Sequence, residues 1–129
     1  MKNPDVMGCP VARAAAIFGS RWTALILRDL MINNVCRYQE LLDSLTGIPP
    51  TTLSQRLKML EAGGIVERRF YDEHPPRAEY ILTEKGRSLG PALRAMREWG
   101  NKYPEPVKPA AGRSPQRGRS AVISARGGR

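Results

Sequence analysis

Thr51, Gln55 and Lys58, spaced along one short segment, carry the most usable chemistry in this 129-residue chain. At 100° per residue they share one side of a helix. Leu53, Leu57 and Leu60 fall within about 60° of one another on the opposite side. Gln can pair bidentately with an adenine edge, Ser and Thr can bond a base or a phosphate, and Thr and Met methyls can pack on thymine methyls. Thr52, Ser54 and Met59 flank the polar face. Arg56 lies nearer the leucine stripe, where a phosphate contact suits it better than a base contact. Any surface helix is polar outside, so this face gains weight only from its neighbours.

Those neighbours are distinctive. Downstream, Arg68, Arg69, His74 and Arg77 cluster around a hairpin tip, Asp72-Glu73-His74-Pro75-Pro76-Arg77. A proline-stiffened loop that offers Arg to phosphates or a minor groove loses little entropy on binding. Asp72 and Glu73 oppose this unless they pair with Arg68, Arg69 or Arg77. Arg77 is read as a DNA contact, whereas for His74 a structural role stands beside that reading. Nothing resembles a catalytic centre: there is no Gly-rich phosphate loop, no nucleophile beside a base and no convergent acid pair. The chain is therefore read as a non-enzyme without a cofactor. One histidine and two distant cysteines, Cys9 and Cys36, provide neither a zinc site nor a disulfide framework.

The elements that must position these residues follow from periodicity. Cys9-Pro10 opens a helix with Val11, Ala14, Ala15 and Phe18 at helical spacing, closed by Gly19. Ser20 caps a second helix with Trp22, Leu25, Ile26 and Leu30 on its apolar stripe, broken at Asn33-Asn34. Val35-Cys36-Arg37 is expected to form a short strand. Tyr38, Leu41, Leu42 and Leu45 make a two-turn helix ending near Gly47. Ile48-Pro49-Pro50 is extended by proline sterics, and a helix started by Thr51 or Pro50 runs to about Ala62 and stops at Gly63-Gly64. Ile65 to Tyr71 and Ala78 to Leu82 read as a two-stranded wing. Thr83 caps a final helix towards Tyr103, which Gly90-Pro91 should kink or divide. The fold class is thus mainly α with a small β-hairpin wing: a winged helix-turn-helix with extra helices at both ends.

Of the net charge of +9, residues 104–129 carry +5, from six basic side chains against the single acid Glu105. That stretch also holds four prolines and four glycines and too little apolar surface to offset ordering. The expected organisation is a flexible arm over 1–8, one domain over 9–103 and a basic disordered tail over 104–129. A basic surface suits a polyanion, nucleic acid before anionic lipid. No apolar run approaches the roughly 20 residues that span a bilayer, and the first residues lack the apolar core of a secretory signal. The expected setting is cytoplasmic and reducing, with no membrane partner.

With these segments in place, the chain closely resembles the HxlR family of bacterial winged-helix transcription regulators. The matching residues include Cys9-Pro10-Val11, Gly19-Ser20-Arg21-Trp22, Arg37-Tyr38-Gln39-Glu40-Leu41 and Leu53-Ser54-Gln55-Arg56-Leu57. They continue through Leu60-Glu61-Ala62-Gly63-Gly64-Ile65-Val66 to the most specific string, residues 75–86 (PPRAEYILTEKG), and end with Trp99-Gly100. Together they cover residues 9–103 in the expected order. The resemblance implies a dimeric, cytoplasmic DNA-binding repressor or activator whose terminal helices form the dimer interface. Arg37, ahead of the first helix of the pair, completes the expected DNA-contacting set. The basic tail and Cys36 depart from the family pattern.

In some members of that family a cysteine matching Cys9 senses oxidants or electrophiles. Locally, Cys9 precedes a helix start, where unpaired backbone amides favour negative charge, and Arg13 lies about one turn away. The alternative is a small residue filling space near Trp22 or the other subunit. Cys36 reads as inert packing, and a bond from Cys9 to Cys36, or to a second Cys9, stays open. Val11, Phe18, Leu93, Met96, Trp99 and Tyr103 exceed what a small three-helix core needs and are the dimer candidates, unless they cover the core of one subunit. The leading expectation is a repressor that binds a palindromic operator on double-stranded DNA as a homodimer, with an oxidant, electrophile or small molecule as effector. The alternatives are a winged-helix protein-interaction module and a non-specific nucleic-acid binder driven by the tail.

Overall fold

Pro10 opens the first helix because its missing N–H is one that no helical carbonyl could reach. This helix, α1, spans Pro10–Ile17, and none of its residues is buried. The structure, a computed structural model, describes residues 8–73 and 76–107, without the side chains of Asp72, Glu73 and Pro76. The expected arm before Gly8, His74 at the wing tip and the tail from residue 108 onward lie outside the described residues. The chain divides into two compact units, Met1–Arg97 and Glu98–Arg129.

Within the first unit, Ser20 caps α2 (Arg21–Asn33), its hydroxyl accepting from the Trp22 amide at 3.2 Å. Asn34 ends α2 at φ 69°, the left-handed region that Asn tolerates better than most residues. The chain then runs through β1 (Val35–Arg37) into α3 (Tyr38–Ser44), where the Glu40 carboxylate accepts from the Arg37 amide at 2.8 Å. Gly47, at φ 93°, makes the turn that follows. Proline then starts α4 (Pro50–Ala62), the earlier of the two expected starts.

Gly64 takes φ 74°, and the Ile65 amide donates back to the Leu60 carbonyl at 2.9 Å. This use of Ile65 as a helix stop explains why strand β2 starts at Val66, with Ile65 left out of it. β2 (Val66–Glu73) pairs antiparallel with β3 (Pro76–Leu82). The predicted two-stranded wing is in fact part of a three-stranded sheet in the order β1-β3-β2. The short strand pairs Cys36 with Tyr80, which in turn faces Arg68. Cys36 points into the core, and that burial is what ties β1 to the hairpin.

After the wing, Thr83 caps α5 (Glu84–Arg87), and α6 (Gly90–Lys102) follows. The Gly90-Pro91 step therefore divides the C-terminal helical segment rather than bending one continuous helix. Thr83 also fastens this segment to the end of α4. Its hydroxyl accepts from the Gly86 amide at 3.0 Å and donates to the Gly64 carbonyl, while its own amide donates to the Ile65 carbonyl at 3.0 Å. Gly86 is obligatory in that join, because a Cβ there would overlap the Ile65 carbonyl oxygen.

One apolar core holds the unit together. Ile26, Leu27 and Leu30 of α2 meet Leu41, the leucines of α4, Ile65, Val66 and Leu82, with Trp22, Tyr38 and Leu89 packed around them. Each fully buried leucine contributes about 1.5–3 kcal/mol from burial alone. The core thus grips one flank of α4 from three elements and leaves the other flank to solvent. In the second unit, the Trp99 and Tyr103 rings meet in a tilted contact, 5.0 Å between centroids and 43° between planes.

Candidate nucleic-acid interface

Leu53, Leu57 and Leu60 are at most 2% exposed, which fixes the rotation of α4 about its own axis. The consequence is that Thr51, Gln55 and Lys58 are exposed together, with Thr52 and Ser54 half-buried on the flanks. Met59 is exposed on the same outer side. The leucine stripe thus aims a row of hydrogen-bonding groups away from the body, the presentation a major-groove helix needs.

The start of α4 is held by a residue that sequence reasoning used only for its apolar ring. The Tyr38 hydroxyl donates to the Pro50 carbonyl at 3.0 Å and accepts from the Ser54 hydroxyl at 3.3 Å. Ser54 is therefore engaged within the protein, and α3 is braced against the first turn of α4. A tyrosine twelve residues ahead of a helix start carries no periodic signal, so spacing alone could not have found this brace. Arg56 is half-buried with its Nε enclosed and unpaired among the described residues, consistent with its place at the edge of the leucine stripe.

The wing arginines divide. Arg77 is exposed at the start of β3, and Arg37 is exposed with its guanidinium 4.5 Å from the Tyr71 ring centroid. Arg68 instead turns towards the body, 3.7 Å from the Glu61 carboxylate at the end of α4 and 5.4 Å from the Phe70 ring centroid. Arg69 pairs with Glu79 at 3.5 Å across the hairpin. Both ion pairs are partly exposed and worth about 0–1 kcal/mol, so a phosphate can compete for either arginine. A β-bulge between Phe70 and Asp72 breaks the strand alternation just before the tip.

The cysteines occupy opposite environments and are not joined. Cys9 is exposed just before α1, while Cys36 is buried. Burial pushes the Cys36 thiol up, and the Asp29 and Glu40 carboxylates add to this while the Asn33 amide offsets part of it. Cys36 is thus a poor nucleophile at neutral pH.

Of the dimer candidates, Phe18 and Leu93 pack partly on the core, whereas Val11, Met96, Trp99 and Tyr103 are exposed, Trp99 at 60%. A groove of about 470 Å³ runs between α2 and α6, lined by Leu25, Met31, Ile32, Leu93 and Met96 together with Arg28, Arg94 and Arg97. Sequence reasoning missed the α2 side of this groove. Leu25 reads as a member of the apolar stripe with Ala24 beside it, and Met31 and Ile32 carry no periodic assignment of their own. Among the described residues no group of His, Cys, Asp and Glu could hold a metal ion, and no helix is long and apolar enough to cross a membrane.

Comparison with known proteins agrees with this geometry. A family model described as HxlR-like helix-turn-helix matches residues 17–108. An uncharacterised HTH-type transcriptional regulator of Synechocystis is 40% identical over 97 residues, covering 75% of this chain and 71% of that protein. The structure of the redox regulator HypR in its reduced form superposes with a TM-score of 0.70 at 35% identity, covering 75% of this chain and 95% of that one. The reduced form of the transcriptional regulator YodB from B. subtilis gives 0.64 at 36% identity, with 78% and 98% coverage.

Proposed function

The chain belongs to the HxlR-like helix-turn-helix family of transcription regulators, and from that premise we propose that it represses transcription by binding a palindromic operator as a homodimer. The observation that carries this reading is the rotation of α4, whose buried leucines leave Thr51, Gln55 and Lys58 facing outward together. Gln55 and Thr51 read base edges. Lys58, Arg56 and Thr52 hold the flanking phosphates, and Arg37 and Arg77 reach the backbone beside the wing. Ser54, bonded to Tyr38, acts by setting the first turn of α4.

The groove between α2 and α6 supports a second copy as the dimer partner, and exposed Val11, Met96, Trp99 and Tyr103 with half-buried Phe18 and Leu93 are the proposed contact residues. A two-fold pair of α4 helices would meet half-sites about one helical turn apart, roughly 34–36 Å. An oxidant or electrophile is the proposed signal. Exposed Cys9 at the start of α1 supports it, as does a structural neighbour named a redox regulator.

The test is selection from sheared genomic DNA with the full chain, followed by sequencing of the bound fragments. A shared palindrome with that spacing is the expected result, and it should persist when residues 104–129 are removed. Loss of the salt dependence and of all binding on truncation would favour a non-specific binder driven by the tail. No bound DNA at all would favour a protein-interaction module.

A further inference from the structure

Phe70 is 59% exposed on β2, an apolar ring left in water on a hairpin otherwise rich in charge. Its cross-strand neighbour is Ala78, too small to cover it. Tyr71 beside it is also exposed, because the bulge after Phe70 ends the regular alternation of the strand. Antiparallel register puts Phe70 on the same face as Arg68 and Tyr80, the face turned towards α4, since Arg68 meets Glu61 at the end of that helix. Phe70 therefore lies on the face turned to the groove-facing helix, while Tyr71 lies under Arg37 on the opposite face, the face of Glu79 and Arg69.

One guanidinium adjoins the Phe70 ring: Arg68 lies over it, whereas Arg37, over the Tyr71 ring, and Arg69 belong to the opposite face of the hairpin. The described acids nearby, Glu61 and Glu79, are each engaged by an arginine. An apolar ring beside a guanidinium is complementary to a sugar–phosphate strand, which offers apolar deoxyribose faces between anionic phosphates. It is poorly suited to an apolar protein surface, which would have to desolvate that arginine without pairing it.

We propose that Phe70 packs on the deoxyribose faces of the DNA strand running between the major groove held by α4 and the minor groove at the wing, with Arg68 on an adjoining phosphate. This rests on the DNA-binding reading above and adds to it an apolar contact that no charge pattern reveals. The contact makes a distinctive prediction. Covering an apolar ring strengthens binding without releasing counterions, so it raises affinity and leaves the salt slope unchanged.

The experiment titrates the selected operator with the full chain and with Phe70→Ala and Phe70→Leu over a series of salt concentrations, alongside thermal melts and sedimentation of each variant. Phe70→Ala should weaken binding about five- to twentyfold, as expected for partial burial of one aromatic side chain, with the salt slope, melting temperature and oligomeric state of the parent. Phe70→Leu should stay within about threefold of the parent, because an aliphatic side chain still covers a sugar. Phe70→Ala binding within twofold of the parent would overturn the proposal. So would Phe70→Leu losing as much as Phe70→Ala, which would mean that the ring serves to hold Arg68, or a change in oligomeric state, which would assign the ring to a protein contact. A parent chain that selects no operator would defeat the underlying DNA reading instead; the same variants titrated on duplex of random sequence would then decide the Phe70 contact by the same criteria.

Discussion

Replacing Gln55 by Ala should relax base preference at one symmetric pair of operator positions and leave the fold intact. Gln55 is exposed on α4, and no hydrogen bond to the rest of the described protein holds its amide. Its removal therefore breaks nothing within the monomer, and Ala is slightly the better helix former. A bidentate amide–adenine pair discriminates by about 1–3 kcal/mol, or roughly 5- to 150-fold per half-site. A two-fold dimer presents the residue twice, so the full palindrome should lose about 2–6 kcal/mol of discrimination. The assay is fluorescence anisotropy on the selected operator and on versions substituted at each position in both half-sites, for the parent and the variant. At the cognate position the parent should prefer its base and the variant should not. At every other position the two preference profiles should run parallel. Uniform weakening across all positions would make Gln55 a backbone contact, and no weakening anywhere would mean that the outer face of α4 does not meet the bases.

Three further outcomes follow from other parts of the interface. Arg77→Ala should weaken cognate and random duplexes alike and lower the salt slope by about one, measured by the same titration across ionic strength. Gly86→Ala should destabilise the domain by about 1–3 kcal/mol in urea unfolding, since the added methyl meets the Ile65 carbonyl and strains the join held by Thr83. In the native protein at neutral pH, a thiol reagent should modify exposed Cys9 quickly and buried Cys36 far more slowly, because burial limits access and keeps the Cys36 proton on; raising the pH should speed the second reaction. If Cys9 is the sensor, diamide or a quinone should release the parent, but not Cys9→Ser, from its operator, and equal release of both proteins would end the sensing idea.

How much of this was readable beforehand depends on the range of the interaction concerned. Local rules located the caps at Ser20 and Thr83, the proline starts at Pro10 and Pro50, and the break at Gly90-Pro91, because each is decided within a few residues. The leucine stripe of α4 was equally legible, since one helix period suffices to say which flank is buried. The interactions that escaped all join segments far apart in the chain. β1 pairs with β3 over more than forty residues, and three residues of strand are too few to announce a partner. Tyr38 reaches Pro50 and Ser54 through its hydroxyl, while periodicity registers only its ring. Arg68 looked like one more wing cation until the register placed it against Glu61.

The same distinction explains why the wing holds more information than its charge suggests. In sequence, Arg68-Arg69-Phe70-Tyr71 is a strand with two cations and two aromatics, and alternation would bury one aromatic and expose the other. The bulge removes that choice, and the small partner Ala78 leaves Phe70 uncovered. A buried Phe70 would have served stability alone. An exposed one forgoes roughly 1.5–3 kcal/mol of burial in the isolated protein, a cost that a bound strand can recover. Affinity at this wing then depends on two separable quantities: arginines that respond to salt and a ring that does not. A wing carrying only the former would lose its grip steadily as ionic strength rises, whereas this one should retain a salt-independent remainder that disappears with Phe70.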